Sequence, residues 1–148
     1  MPPSFYTLRM TGKDFAISLL DESCYQFKMC MAGISEDGFA AKPLGHVMSI
    51  REALEHQTEA CIAVQKDAAG EKHSWGTYHF PEGSIAELLE IFDAERAKAV
   101  AIALDKFDDH PHYVKDYLIA HEFYHVGQMA AIRLALNDGF EAYSIYRF

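Results

Sequence analysis

Cysteine is scarce in this chain. The three residues, Cys24, Cys30 and Cys61, are odd in number and none is spaced as C-x-x-C. That pattern suggests neither a disulfide framework nor a thiolate zinc site. Positive charge is also short: 13 Lys and Arg stand against 22 Asp and Glu, a formal net charge of −9. Nucleic-acid binding relies on clustered basic residues to neutralise phosphates, and no such cluster is visible, so DNA and RNA are not expected partners. No stretch approaches the ~18 consecutive apolar residues of a membrane span. The opening "MPPSFYTLRM" lacks the long apolar segment and small-residue cleavage site of a secretion signal. A reducing cytoplasm is the expected location.

What remains is an ordinary globular composition. Half of the 148 residues are hydrophobic, enough for one domain with a sizeable core and no need of disulfides. Apolar spacing predicts four helices, over about 13–31, 49–66, 84–107 and 113–136. The first carries a stripe of Phe15, Leu19, Cys24, Phe27 and Met31. The third carries Ile85, Leu88, Leu89, Phe92, Ala99 and Ile102. Ser49 with Glu52, and Ser84 with Glu87, have the spacing of capping boxes. "GISEDGFAAKPLGHVM" and "DAAGEKHSWGTYHFPEG" read as loops, Pro111 separates the last two helices, and "NDG" stops the fourth. The tail "FEAYSIYRF" reads as a packed extension or part of a subunit contact. No strand series or repeat is evident, so the expected fold is all-α, a single four-helix bundle over 1–148.

The fourth helix poses the chemical question. In "AHEFYHVGQMAAIR", His121, His125 and Gln128 occupy steps of three and four that should be apolar. Residues four apart share a helix face, so both imidazoles can aim at one point. Neutral imidazole binds borderline divalent metals at ~2.0–2.1 Å, and a metal bond would satisfy rings that are costly to bury unpaired. The bland alternative is two histidines at the core edge, satisfied by backbone or carboxylate bonds. H-E-x-x-H also marks zinc metalloproteases in which the Glu activates water. The flanks oppose that reading: Gly127 falls one position early, Ala131 stands where a third His would be, and Glu141 is the one Glu downstream of His125.

"HEFYHVGQM" resembles the last-helix signature of the DinB superfamily, a group of YfiT-like metalloenzymes in which H-x-x-x-H-x-G-Q is typical. "MAGISEDGFAAKP", "SIREALEHQTEA" and "SIAELLEIFDAER" resemble that family's first connection, second helix and third helix. The likeness covers about 14–137. It implies a bundle of up-up-down-down type, a homodimer, and a zinc or nickel ion held by one His of the second helix and two of the fourth. On this chain these are His56, His121 and His125. His46 is the rival for the first place, although it precedes the Ser49 cap and so falls in a loop. Glu59 would orient a ligand or hold water. Glu122 reads equally as a neighbour of the ligands or a surface residue. Gln128 would bond a ligand or tie two helices, and Tyr124 and Tyr117 would line the cavity or pack in the core. Gly127 would let a neighbouring helix approach.

His73, His79, His110 and His112 fall in loops and carry no assigned role. Trp75 would cover the open end of the bundle. Cys61, Met29, Met31 and Met129 read as core filler. Two functions follow from the resemblance. One is an enzyme, transferase- or hydrolase-like, that activates water or a low-molecular-weight thiol against a small-molecule substrate. The other is a non-catalytic, stress-related bundle that binds a metal or small ligand.

Overall fold

The computed structural model describes residues 9–147; most of the opening "MPPSFYTLRM" and the last residue of the tail lie outside them. The described residues are helical, without strands. The helices are α1 (Gly12–Met29), α2 (Glu36–Ala40), α3 (Ile50–Ala68), α4 (Ile85–Asp105) and α5 (His121–Leu136). A π-helical stretch, Tyr113–Ala120, runs directly into α5, and a 3₁₀ turn, Ala142–Ile145, follows it. No described helix is long and apolar enough to cross a membrane.

Local chemistry sets the helix starts. The Ser49 and Ser84 hydroxyls accept the amides of Glu52 and Glu87, and each Glu reaches back to the Ser amide, as the spacing predicts. Thr11 and Asp14 form a third capping box that the sequence reading did not single out. At the far end of α5, Asn137 takes the left-handed conformation, φ 52°, which an Asn tolerates and which stops the helix. The stretch read as the first loop contains α2, started by Ser35 accepting the Gly38 amide.

Helix direction can be read from the pairs that cross between helices. Ser23 bonds Glu122, the Cys30 thiol faces the Val126 carbonyl, and Arg133 donates to the carbonyls of Cys30 and Ala32, so α1 and α5 run the same way. Arg96 donates to the Leu20 carbonyl while Lys28 pairs with Asp93, so α4 opposes α1. Tyr113 pairs with Asp67 and Gln57 with the Tyr117 carbonyl, so the last helical run opposes α3. Taken together the order is up-down-down-up, which corrects the expected up-up-down-down. Because α3 and α4 are parallel, the chain between them must return the length of the bundle, and this return explains why the second loop is long.

The core lies between the four long helices. Phe27, Leu54, Leu88, Phe92, Leu118, Met129 and Ile132 are fully buried, with the Phe27 and Phe92 rings 5.2 Å apart. Each such side chain contributes about 1.5–3 kcal/mol through loss of apolar surface to water. Met31 joins them and Met29 packs against them, as expected of filler. Cys61 is buried too, its thiol pushed well up by burial, which removes it as a nucleophile.

Two readings of individual positions change. The α1 stripe is displaced by one residue near its start: Ala16, Leu20 and Ser23 are buried, while Phe15 is 55% exposed. The early aromatic attracted the stripe, but Ser23 is wanted inside for its bond to Glu122. Gly127 is exposed, and a Cβ added there would meet nothing within 4 Å, so no neighbouring helix approaches it. Gly127→Ala should therefore raise stability by about 1 kcal/mol through helix propensity, visible as a higher thermal midpoint by circular dichroism.

Candidate metal centre

Three imidazoles meet where α3 and α5 face each other. The ring centroids of His56 and His121 are 4.8 Å apart, those of His121 and His125 also 4.8 Å, and those of His56 and His125 5.5 Å. One nitrogen from each ring lies within 4.8 Å of the other two. Three such nitrogens on one ion stand ~3.3 Å apart, so inward movements of ~1 Å close the set. His46, the rival ligand, sits exposed in the turn before Ser49 and is outside this group.

The surroundings fit a metal better than the bland alternative. His125 is fully buried, and its Nδ1 is 2.8 Å from the Gln128 Oε1. The Gln128 amide nitrogen in turn donates to the Tyr124 hydroxyl, 3.1 Å away. With the Gln oxygen facing the ring, Nδ1–H donates and Nε2 keeps its lone pair. Nε2 is buried with no hydrogen-bond partner. An orphaned acceptor of this kind costs about 1–3 kcal/mol, and coordination of a cation would satisfy it. Gln128 is thus a positioning residue for His125 within one helix and does not tie two helices. Tyr124 is 62% exposed and belongs neither to the core nor to the cavity wall.

Burial, reinforced by the neighbouring imidazoles, holds both α5 histidines neutral. It pulls His121 down to about 4, and with the adjacent His121 it pulls His125 down to about 3 against the opposing bond to Gln128. Neutral imidazole is the metal-binding form. The folded values lie below the unfolded one, so the folded state binds fewer protons as acid is added. Metal-free protein should lose stability as pH falls from about 6.5 toward 3–4, by up to about 1.4 kcal/mol per pH unit per group. Urea midpoints across that range, compared with a His121→Gln, His125→Gln double variant, measure this contribution.

Behind His56 stands Glu59, which is almost fully buried. Its Oε2 is 3.5 Å from the His56 Nδ1. Its Oε1 accepts from the amides of Gly76, Thr77 and Tyr78 at 2.8, 3.2 and 3.4 Å and lies 3.0 Å from the His73 Nε2. Burial pushes this carboxyl up, but the bonds from His73 and the three amides outweigh it and hold it below its ordinary value, ionised. One carboxylate therefore both faces a ligand ring and pins the returning loop. Glu55 takes the next step, accepting the Phe80 amide at 2.6 Å, and Arg51 the one after, donating to the Pro81 carbonyl at 3.3 Å. The loop is a strap laid back along α3. His73, a loop residue with no role expected from the sequence, is one of its anchors, and no local pattern marked it. Glu59→Ala should lower zinc affinity about 10- to 100-fold and speed deuterium exchange at amides 76–78, whereas Glu55→Ala should speed exchange at Phe80 alone.

The strap carries Trp75 to the mouth of the site, 5.7 Å from the His56 ring and 6.1 Å from that of Tyr117. His56, Trp75, Asp116, Tyr117 and His121 line an open pocket of about 280 Å³ there. Tyr117 is thus a cavity residue.

Glu122, next to His121 in sequence, is not part of the site. It is fully buried and turned toward α1 and α4, bonded to Ser23 and paired with Arg96, whose Nε is 2.5 Å from Oε1 and Nη2 3.0 Å from Oε2. Both expectations for it, neighbour of the ligands and surface residue, are corrected, and with them the protease reading, which needs this carboxylate at the metal.

Comparison of the chain with protein-family models, with curated proteins and with solved structures finds no match.

Proposed function

We propose that this chain is a metal-dependent enzyme of the DinB-like kind, with His56, His121 and His125 as its ligands and zinc or nickel as its ion. The observation that carries the reading is the buried, partnerless His125 Nε2 within a three-imidazole group that opens onto a pocket. A set of three protein ligands leaves positions for other molecules, as a catalytic rather than a structural site requires. When bound, the ion would supply Lewis acidity, making a nucleophile of water or of a low-molecular-weight thiol near neutral pH.

The chain's own residues divide the remaining work. Gln128 holds His125 in the tautomer that presents Nε2. Glu59 holds the strap and faces His56. Trp75 and Tyr117 shield one side of the mouth from water and give a small molecule apolar surface to rest against. The homodimer and the cytoplasmic setting belong to the same proposal.

The test is metal analysis of purified protein followed by a conjugation assay with a panel of small thiols and electrophiles. One ion per chain with turnover that a chelator abolishes is the expected result. One ion per chain with no turnover across the panel would favour the non-catalytic, ligand-binding bundle instead.

A further inference from the structure

We propose that the pocket over the three histidines takes a small molecule with an uncharged hydrocarbon body, polar only at the end that reaches the metal. This rests on the metal-centre reading above and names the substrate class for it. His56 and His121 belong both to the imidazole group and to the pocket lining, so a molecule that meets the ion there leaves its remaining atoms against Trp75, Tyr117 and Asp116. The surface that these five residues turn to the pocket is almost wholly apolar. Asp116 is the one carboxylate among them. Its side chain is half exposed, and the Lys115 Nζ is 3.5 Å from its carboxylate. In so apolar a lining it contributes its stem, and its charge stays with Lys115 and water. No Lys or Arg lines the pocket. The polar groups near His56 gather elsewhere. A second cavity, about 360 Å³, has His56 in its lining together with Lys42, Glu52, Glu55 and Glu59. It lies on the Glu59 side of the His56 ring, and it has no other residue in common with the pocket at His121.

The chemistry of such walls is one-sided. A carboxylate, ammonium or hydroxyl on the body of a ligand would shed water in the pocket and find almost nothing to replace it. A methylene meets the opposite balance, since it leaves water for a wall that asks no hydrogen bond of it. Selection of this kind is graded. Each added CH₂ tightens binding by a constant factor until the walls are covered, and a pocket of about 280 Å³ is covered by a short chain. The class that fits is a small alkyl or aryl thiol, the sulfur for the ion and the hydrocarbon for the pocket.

Cobalt(II)-loaded protein gives a direct readout, since a thiolate that reaches the ion produces a charge-transfer band. The straight-chain thiols from ethanethiol to pentanethiol form the main series, because thiol acidity hardly varies along it. Beside pentanethiol stand 4-mercaptobutanol and 4-mercaptobutanoate, whose polar ends lie too far from sulfur to change its acidity much. Each is titrated against the wild-type chain and against Trp75→Ala, a half-exposed side chain outside the ligand set, at equal cobalt and helix content. The expected wild-type result is an affinity that rises about 2- to 4-fold per CH₂ and then levels off. Pentanethiol should bind about 10-fold more tightly than either polar-ended thiol. Trp75→Ala should roughly halve the rise in log affinity along the series. A flat series, a polar-ended thiol that equals pentanethiol, or a rise that Trp75→Ala leaves unchanged overturns this inference while leaving the metal centre standing. Cobalt bound by three imidazoles without a band from any thiol overturns thiol activation itself, and this inference with it.

Discussion

His121→Ala should lower zinc affinity at least about 100-fold. A zinc site in a small domain binds with about 10–16 kcal/mol spread over its ligands, so each imidazole is worth several kcal/mol. His121 is the clean choice of the three. It is only partly buried, so its removal leaves a smaller void than loss of the fully buried His125. The effect should also appear in stability. Zinc at 1,000 times the wild-type dissociation constant stabilises the folded wild type by about 4 kcal/mol, and at the same zinc concentration this increment should fall to about 1.4 kcal/mol or less in the variant. Isothermal titration and thermal melts with and without zinc measure the two quantities independently. An unchanged affinity would remove His121 from the ligand set.

Glu122→Ala should cost about 3–5 kcal/mol of stability and leave zinc binding almost unchanged. The Arg96 guanidinium is largely buried. Burial works to pull its proton off, and the Glu122 carboxylate, by hydrogen bond and charge, more than restores it. Deleting the carboxylate strands that charge and unpairs the Ser23 hydroxyl. Arg96→Ala should be similarly costly, and the double variant should cost less than the sum of the two, because the charges are removed together. Urea denaturation gives the first quantity and zinc titration of the folded variant the second. The pairing of outcomes matters: in a protease of the H-E-x-x-H kind the same change would spare stability and abolish catalysis. Loss of zinc affinity in folded Glu122→Ala would place this carboxylate at the metal after all.

Those two residues show what the chain discloses by itself. His121 and His125 were legible because helical periodicity puts i and i+4 on one face, where a shared metal would satisfy both imidazoles. His56 was legible through the family resemblance, which asks for one His of the second helix, and through Ser49, whose cap puts His46 in the preceding loop. Glu122 was misleading for the converse reason. It stands one residue from a ligand, but a helix turns 100° per residue, and its partner Arg96 lies on another helix and 26 positions away. His73 and Asp116 were equally hidden, and Trp75 was legible only as a cover for the open end of the bundle. They come together only because parallel α3 and α4 force the intervening chain back across the site, and helix direction is a property of tertiary packing that no local pattern records. The shift from π to α geometry at His121 was likewise absent from the apolar spacing.

X-ray absorption spectroscopy at the zinc edge of the loaded protein tests the central claim most directly. Three imidazole nitrogens at ~2.0–2.1 Å, with the remaining scattering from light solvent atoms, is the result expected, and one imidazole fewer in His56→Ala, His121→Ala or His125→Ala. A spectrum of the wild-type chain with fewer than two imidazoles, or one that none of the three substitutions alters, would contradict the account.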